Sequence, residues 1–139
     1  MQNGKLTGYA IRMAMLPADH TYVTSSAGHV WPCFGRGAGG AEVCAGSANV
    51  HRAHCLSKPR SEAGIVYAVT GVCHQAANRI LYPAGKTVSG ARGYRWSLFT
   101  YGAYGKDPDT NDLHFPSRNP WPELAACIGF NNPKNRSIL

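Results

Sequence analysis

The sequence predicts an α+β protein in which an antiparallel sheet packs against helices. Two observations carry this prediction. β-prone segments surround a short glycine-containing loop early in the chain, and a β-prone run in the middle of the chain leads into a helical pattern. The length of 139 residues is close to the commonest domain size, so we expect a single domain over residues 1–139.

The first predicted elements are an extended segment and a β-hairpin. Residues 8–16 are predicted to be extended up to a turn at Pro17, because proline presets φ for a turn. Residues 20–24 and 29–34 are β-prone and flank a four-residue loop that ends in Gly28. This pattern predicts an antiparallel hairpin.

The loop length also predicts the register of this hairpin. A four-residue loop places Thr24 opposite His29 and Tyr22 opposite Trp31. Because side chains alternate across a strand, one face of the sheet would carry five side chains. They are His20, Tyr22, His29, Trp31 and Cys33.

Three further segments precede the middle of the chain. The glycine-rich residues 35–40 are predicted to form a mobile loop. Residues 47–56 are predicted to form a short helix, capped by Ser47 and ended before Pro59. Residues 65–69 are apolar and β-prone, which predicts a strand.

The second half of the chain predicts two helices and a strand. A helical pattern begins at Cys73 and is stopped by Pro83. Large and polar groups alternate over residues 94–101, as in a half-buried strand. Residues 120–129 are predicted to form a short helix with Cys127 in its apolar core pattern.

Charge and composition restrict the partners. Fourteen Lys+Arg against seven Asp+Glu give a net charge of +7, which favours a polyanion such as nucleic acid, an anionic membrane face or a cell wall. The basic residues are scattered without a basic helix or a nucleic-acid-binding module, which argues against nucleic acid. No apolar run approaches the ~18 residues of a transmembrane helix, so no membrane span is predicted.

The first residues also bear on localisation. Residues 1–6 lack the basic start and apolar core of a signal peptide. We therefore expect a protein that is cytoplasmic when made and that reaches a target-cell periplasm only by another export route.

The five cysteines form an odd set, so at least one thiol is unpaired within the monomer. Two disulfides with one reactive cysteine, or no disulfide at all, are both consistent with this number. The closest approach to metal-ligand spacing combines two cysteines and two histidines, although no C-x-x-C pair is present. They are Cys44, His51, His54 and Cys55; the alternative is a helix with solvent-facing histidines.

Cys73 is the first candidate nucleophile. A thiol at a helix N-terminus lies against unpaired N–H groups and a positive partial charge, which predicts a lowered pKa. The alternative is a buried structural cysteine, since free cysteine is among the most buried residue types. His74 adjoins Cys73 but points about 100° away around the helix, so we expect it at the surface or behind the site.

A histidine-bearing hairpin followed by a cysteine that opens a helix resembles a known family. The segments Asp19-His20-Thr21-Tyr22-Val23 and Gly71-Val72-Cys73-His74-Gln75 are similar to those of the circularly permuted papain-like cysteine hydrolases, the NlpC/P60 and lecithin:retinol-acyltransferase-like superfamily. The resemblance implies a permuted papain-like fold. It also implies Cys73 as nucleophile, His20 as general base, and His29, or another polar group such as Glu42, as the residue that orients the base.

The resemblance also implies a class of substrate. Small hydrolases of this superfamily cut amide bonds in peptidoglycan peptides, and a basic domain suits an acidic cell wall. Tyr22 and Trp31 are candidate substrate-binding residues in the cleft. An interbacterial amidase effector would also have a secretion machine and a cognate inhibitor protein as partners, and no cofactor is predicted.

A second class of function stays open. The chain would then be a non-enzymatic basic module, stabilised by zinc or by disulfides, that binds a polyanion. The two classes differ at Cys73, which is reactive and reachable in the enzyme and buried and inert in the module.

Overall fold

The structure, a computed structural model, describes residues 3–116 and Cys127. In this part of the chain, one antiparallel sheet of four strands has the order β3-β2-β1-β4. The strands are β1 (Asn3–Arg12), β2 (Asp19–Ser25), β3 (Val30–Trp31) and β4 (Ala41–Asn49). The α-helices are α1 (Val50–Ser57), α2 (Cys73–Leu81) and α3 (Tyr94–Tyr101), with 3₁₀ turns at Pro59–Ser61 and Tyr82–Ala84. The predicted α+β class with an antiparallel sheet is confirmed.

Strand β1 lies at the centre of the sheet and pairs with β2 on one side and β4 on the other. The pairing with β4 shifts at Gly8, where helix α2 packs closely on the sheet. A Cβ atom on Gly8 would lie 2.8 Å from the sulfur of Cys44 and 3.1 Å from Cδ1 of Leu81. The absence of a side chain at this position therefore allows α2 to approach the sheet.

The predicted hairpin is present, but its predicted register is wrong by one residue. Val23 opposes Trp31, and the Ser25 amide donates to the carbonyl of His29 over 3.0 Å. The Ser25 hydroxyl accepts from the His29 amide over 3.2 Å, which shortens the loop to residues 26–28. Trp31 therefore shares a face with Val23 rather than with Tyr22, and the predicted five-residue face is not formed.

Helix α2 begins at Cys73 as predicted, and all nine of its residues are buried. The side-chain oxygen of Gln75 accepts from the Val72 amide over 2.9 Å and satisfies a donor at the start of the helix. Asn78 and Arg79 donate to the carbonyls of Ala103, Ala63 and other residues of the surrounding loops. The polar residues of α2 thus fix the loops around it instead of facing solvent.

The predicted strand over 94–101 is wrong, because this segment forms helix α3. Gly93 and Gly102 flank it with φ angles of 80° and 77°. Tyr94 and Ser97, three residues apart, are its buried residues, whereas Trp96 and Phe99 are 76% and 88% exposed. Over residues 94–101 large and polar side chains alternate, but buried and exposed side chains do not.

Two other predicted elements differ from the structure. The run 65–69 is a turn and not a strand, because the Thr70 hydroxyl accepts from the Val66 amide over 2.8 Å and closes the chain on itself. The helix predicted over 47–56 starts later, since β4 continues to Asn49, whose side chain caps α1 by accepting from the Arg52 amide over 3.0 Å.

The remaining predicted elements have different outcomes. Residues 35–40 are neither helix nor strand, as expected for a loop, and their mobility stays a prediction. The helix predicted over 120–129 lies outside the described residues, apart from Cys127. No helix within residues 3–116 has the length and hydropathy needed to cross a membrane.

Candidate active site at the start of helix α2

Cys73 is the first residue of α2 and lies in the wall of a cavity of about 770 Å³. Its residual exposure is 8%, and its thiol contacts the carbonyl oxygen of Asp19 at 3.9 Å. The first amides of a helix have no partner within the helix. The thiol therefore combines burial, access from a cavity and free N–H groups beside it.

These features have opposite effects on the pKa of Cys73. Burial raises it, whereas the amide and hydroxyl of Thr21 and the amides of His74 and Cys73 lower it. Burial has the largest effect, so the pKa lies above its usual value and the expected lowered pKa is wrong. The thiol is protonated at neutral pH and needs a base before it can attack.

His20 is held by the glycine-rich loop that follows the hairpin. Its Nε2 atom lies 2.9 Å from the carbonyl oxygen of Arg36. A carbonyl can only accept, so Nε2 carries the proton and Nδ1 keeps a lone pair in the neutral ring. Gly35 packs on the ring so closely that a Cβ there would lie 2.5 Å from Cε1 of His20.

His20 and Cys73 line the same cavity. Thr21 lies beside the thiol, and because neighbouring side chains on a strand point to opposite faces, the His20 side chain leaves β2 on the face opposite to Thr21. Among the described residues, His20 bonds to the Arg36 carbonyl and the thiol contacts Asp19 and Thr21, and no hydrogen bond joins His20 to Cys73. A catalytic pair formed by these two groups would need the ring and the thiol to come closer when substrate binds.

His74 is buried rather than at the surface, with an exposure of 3%, and it lines the cavity next to Cys73. Its Nε2 donates to the carbonyl of Asp19 over 2.9 Å, and its Nδ1 accepts from the Ser97 hydroxyl over 2.8 Å. Burial lowers its pKa, although the Asp19 carbonyl opposes this effect. A neutral His74 thus ties the start of α2 to strand β2 and helix α3.

Asp19 fixes the start of β2 through an ion pair with Arg92. The Arg92 Nε donates to Asp19 Oδ1 over 2.8 Å, and the Arg92 amide donates to Oδ2 over 2.9 Å. Burial raises the pKa of Asp19, but the hydrogen bonds and charge of Arg92 outweigh it, so the pKa lies below its usual value. The ionised carboxylate fixes the strand end whose carbonyl contacts both Cys73 and His74.

The cavity wall combines apolar surface with charged side chains. Arg12 and Arg36 are its cations, and Asp19, which is paired with Arg92, also lines it. Most of the remaining wall is apolar or aromatic, and Trp96 is 76% exposed beside it. The apolar and aromatic members include Met13, Leu16, Phe34, Tyr67, Trp96 and Tyr101.

The structure does not bring the other predicted site residues to this cavity. The ring of His29 stacks on Trp31 at 5.1 Å and approaches His54 at 4.7 Å. Tyr22 is 3% exposed, stacks on Tyr9 and accepts from the Gly40 amide. Tyr22, Trp31 and His29 are all absent from the cavity wall.

The cysteines match neither of the two expected arrangements, which were two disulfides with one free thiol or no disulfide at all. Among the described residues there is one disulfide, between Cys55 and Cys127, and three free thiols. The free thiols are Cys33, Cys44 and Cys73. The four residues expected at metal-ligand spacing do not converge, because the sulfur of Cys44 lies against Gly8 in the sheet. The group that does converge is His51, Cys55 and Cys127.

Several site groups carry no signal in the sequence. The Arg36 carbonyl acts through the backbone, and the Asp19–Arg92 ion pair joins residues far apart in the chain. The glycines of residues 35–40 are the one available signal, since glycine commonly marks a close backbone approach. Comparisons with models of protein families, with curated proteins and with solved structures found no match to this chain.

Proposed function

We propose that this protein is a cysteine-dependent hydrolase of amide bonds, with Cys73 as nucleophile and His20 as general base in a permuted papain-like arrangement. One observation carries the proposal. A free thiol at the start of a buried helix shares a cavity with a histidine whose tautomer is fixed by a backbone carbonyl. That tautomer leaves Nδ1 available to take the thiol proton.

The roles of the residues follow from this chemistry. His20 takes the proton from Cys73 as the sulfur attacks the carbonyl carbon, and later gives it to the leaving amine. The Arg36 carbonyl orients the ring, the role that sequence resemblance gives to His29. The free amides at the start of α2 are the donors nearest to the developing oxyanion.

The cavity supports an anionic peptide as substrate. Arg12 and Arg36 line it, the Asp19 carboxylate in the same wall is already paired with Arg92, and the net charge of the chain is +7. Peptidoglycan peptides carry free carboxylates beside their amide bonds, so we propose them as the substrate class. Export by a secretion machine to a target-cell periplasm, and a cognate inhibitor protein, belong to the same proposal.

The test compares two cysteine substitutions on purified peptidoglycan and on isolated muropeptides. New amino groups and cleaved fragments would be measured by chromatography with mass spectrometry. We expect Cys73→Ala to lower the rate by at least about 10³-fold, because the nucleophile is removed. Cys44→Ala is the matched control, because Cys44 is a free thiol outside the cavity wall, and it should stay within about twofold.

Either of two results would count against the proposal. Full activity of the Cys73→Ala protein would exclude Cys73 as nucleophile. If the wild-type protein cleaved no cell-wall substrate but Cys73 became acylated by activated esters, the mechanism would stand and the substrate class would be wrong.

The Cys55–Cys127 disulfide and the basic surface favour a second candidate, a disulfide-stabilised module that binds a polyanion without catalysis. In that case Cys73→Ala would leave binding unchanged. Binding would fall steeply with salt, because each phosphate or carboxylate contact releases a counterion. Salt-sensitive binding of an anionic polymer by a wild-type protein that cleaves no amide substrate would favour this second candidate, whereas cleavage that is lost in Cys73→Ala would favour the first.

A further inference from the structure

A second group of histidine and cysteine side chains lies on helix α1, outside the wall of the Cys73 cavity. A ring nitrogen of His51 and the sulfur atoms of Cys55 and Cys127 all lie within 4.8 Å of one another, and Nε2 is the His51 nitrogen that contacts Cys55. His51 and Cys55 share one face of α1, since residues four apart are neighbours on a helix. Three side chains with metal-ligand chemistry thus converge from two distant segments, and both cysteines are buried.

The spacing of these atoms fits a tetrahedral metal. His51 Nε2 and Cys55 Sγ are 3.6 Å apart. Zinc bonds of about 2.0–2.1 Å to nitrogen and about 2.3 Å to sulfur place those two atoms about 3.5 Å apart at a tetrahedral angle. Two thiolates on the same ion would lie about 3.8 Å apart. Helix α1 therefore presents the nitrogen and sulfur at the required separation without rearrangement.

We propose that His51, Cys55 and Cys127 form a redox-gated binding site for a thiophilic divalent cation such as Zn²⁺. In the oxidised chain the two cysteines bond to each other, as in the structure. In the reduced chain the same sulfurs and the imidazole bind the metal, and the fourth position is open to water. Metal and disulfide exclude each other, because both use the same two sulfur atoms.

The change between the two states balances with a simple reductant. A phosphine and water break the S–S bond, which yields two thiols and the phosphine oxide. The metal then replaces the two thiol protons, which are released to the buffer, because only thiolates bind it. Reducing compartments would favour the metal-bound chain and oxidising ones the disulfide.

A route for the ion is present next to the site. Cys55 lies in the wall of a second cavity of about 710 Å³, which also includes Asp107 and His114. The cavity therefore offers a path for an ion as far as Cys55. An open fourth position is typical of zinc sites that have three protein ligands.

The test is titration of the full chain with Co²⁺ after reduction by a phosphine, followed in the ultraviolet and visible spectrum. We expect one equivalent to bind with a thiolate-to-cobalt charge-transfer band and tetrahedral d–d bands, and about two protons to be released per ion at neutral pH. The oxidised protein should show neither band. Zinc should displace cobalt and protect Cys55 and Cys127 from alkylation.

Matched variants separate this site from the other thiols. His51→Gln keeps both cysteines, so its oxidised form retains the disulfide, and its reduced form should bind Co²⁺ at least about tenfold more weakly. Cys127→Ser should lose the charge-transfer band, whereas Cys44→Ser should keep it. The proposal is overturned if the reduced protein binds no Co²⁺, if the oxidised protein binds it equally well, or if Cys73→Ser abolishes the band while Cys127→Ser does not.

Discussion

Two histidine–cysteine pairs in this molecule are assembled in opposite ways. His51 and Cys55 lie one turn apart on α1, and their contact of 3.6 Å follows from helix geometry alone. His20 and Cys73 come from a strand and a helix that are distant in the chain and meet only at a cavity. The pair that is close in the sequence is bonded to a third cysteine, whereas the pair that is distant keeps a free thiol.

The difference shows that the group facing a cysteine side chain on a helix determines whether its thiol stays free or forms a disulfide. Cys55 faces the sulfur of Cys127, and the disulfide removes its nucleophilic character. Cys73 faces the backbone of β2 and the wall of a cavity, with a carbonyl at 3.9 Å. A neighbouring histidine in the sequence is therefore a poor guide to which cysteine is reactive.

The largest expected effect comes from replacing the histidine of each pair in turn with alanine. Under the proposed mechanism, His20→Ala should lower the rate of amide hydrolysis by about 10²–10⁴-fold, because the buried thiol of Cys73 then has no base. His51→Ala should change the rate by less than about twofold in oxidised protein. Both rates would be measured with the same muropeptide and at the same pH.

Equal losses from the two substitutions would remove the distinction between the pairs. A loss only in His51→Ala would transfer the catalytic assignment to helix α1. Circular dichroism of each variant would separate a catalytic loss from unfolding.

The next expected effect is a loss of stability when the Cys55–Cys127 disulfide is removed. The disulfide joins residues 72 positions apart, and closing such a loop stabilises a protein by up to about 4 kcal/mol in the chain-entropy treatment. Cys127→Ser should lower the free energy of unfolding by about 2–4 kcal/mol in urea. Adding a phosphine to the wild-type protein should have the same effect, and the variant should not respond to it.

The comparison also explains which parts of the molecule could be predicted from sequence. The hairpin around Gly28 and the start of α2 at Cys73 have local signals, and the structure has both. Helix α3 lacked such a signal, because glycines flank it and its large side chains Trp96 and Phe99 are exposed. Contacts between segments that are distant in the chain cannot be recognised in a local sequence pattern.

In the candidate site, too, only the features with a local signal could be predicted from the sequence. Cys73 and His20 could be named from residue type and order, and both line the cavity. The raised pKa of Cys73 could not be predicted from the sequence, because burial by distant segments outweighs the local effect of the helix start. The one-residue error in the hairpin register moved Trp31 to the other face of the sheet.

A smaller and more local effect would sharpen the assignment of His20. A Cβ on Gly35 would lie 2.5 Å from the His20 ring, so Gly35→Ala should displace the ring and weaken its bond to the Arg36 carbonyl. We expect kcat to fall by about tenfold, about 1.4 kcal/mol, with little change in KM. Gly37→Ala is the matched control, because the atom it would meet is a methyl group of the exposed Val30 side chain.

The pH dependence of kcat gives this test a second readout. A displaced base should change the acid limb of the profile in Gly35→Ala and not in Gly37→Ala. Equal kinetics in the two variants would mean that the contact with Gly35 does not position His20.

The last expected effect concerns the carboxylate of Asp19, which fixes the strand end beside Cys73. Asp19 has a pKa below its usual value because of Arg92, so its ionised form stabilises the fold at every pH above the unfolded pKa of about 3.9. This stabilisation is lost as the pH falls through the lower, folded pKa. Asp19→Asn should therefore cost about 1–2 kcal/mol at pH 7 and progressively less towards pH 3.

Asp107→Asn is the control for this last prediction, because the Asp107 side chain is 47% exposed in its pair with His114 and an exposed pair contributes little. Urea unfolding of the wild type and both variants from pH 7 to pH 3 would measure the three curves. A pH-independent loss in Asp19→Asn would mean that the hydrogen-bond geometry at the start of β2 matters more than its charge. In that case the carbonyl that contacts Cys73 and His74 would be held in place by shape, and acid would leave the site intact until the fold as a whole is lost.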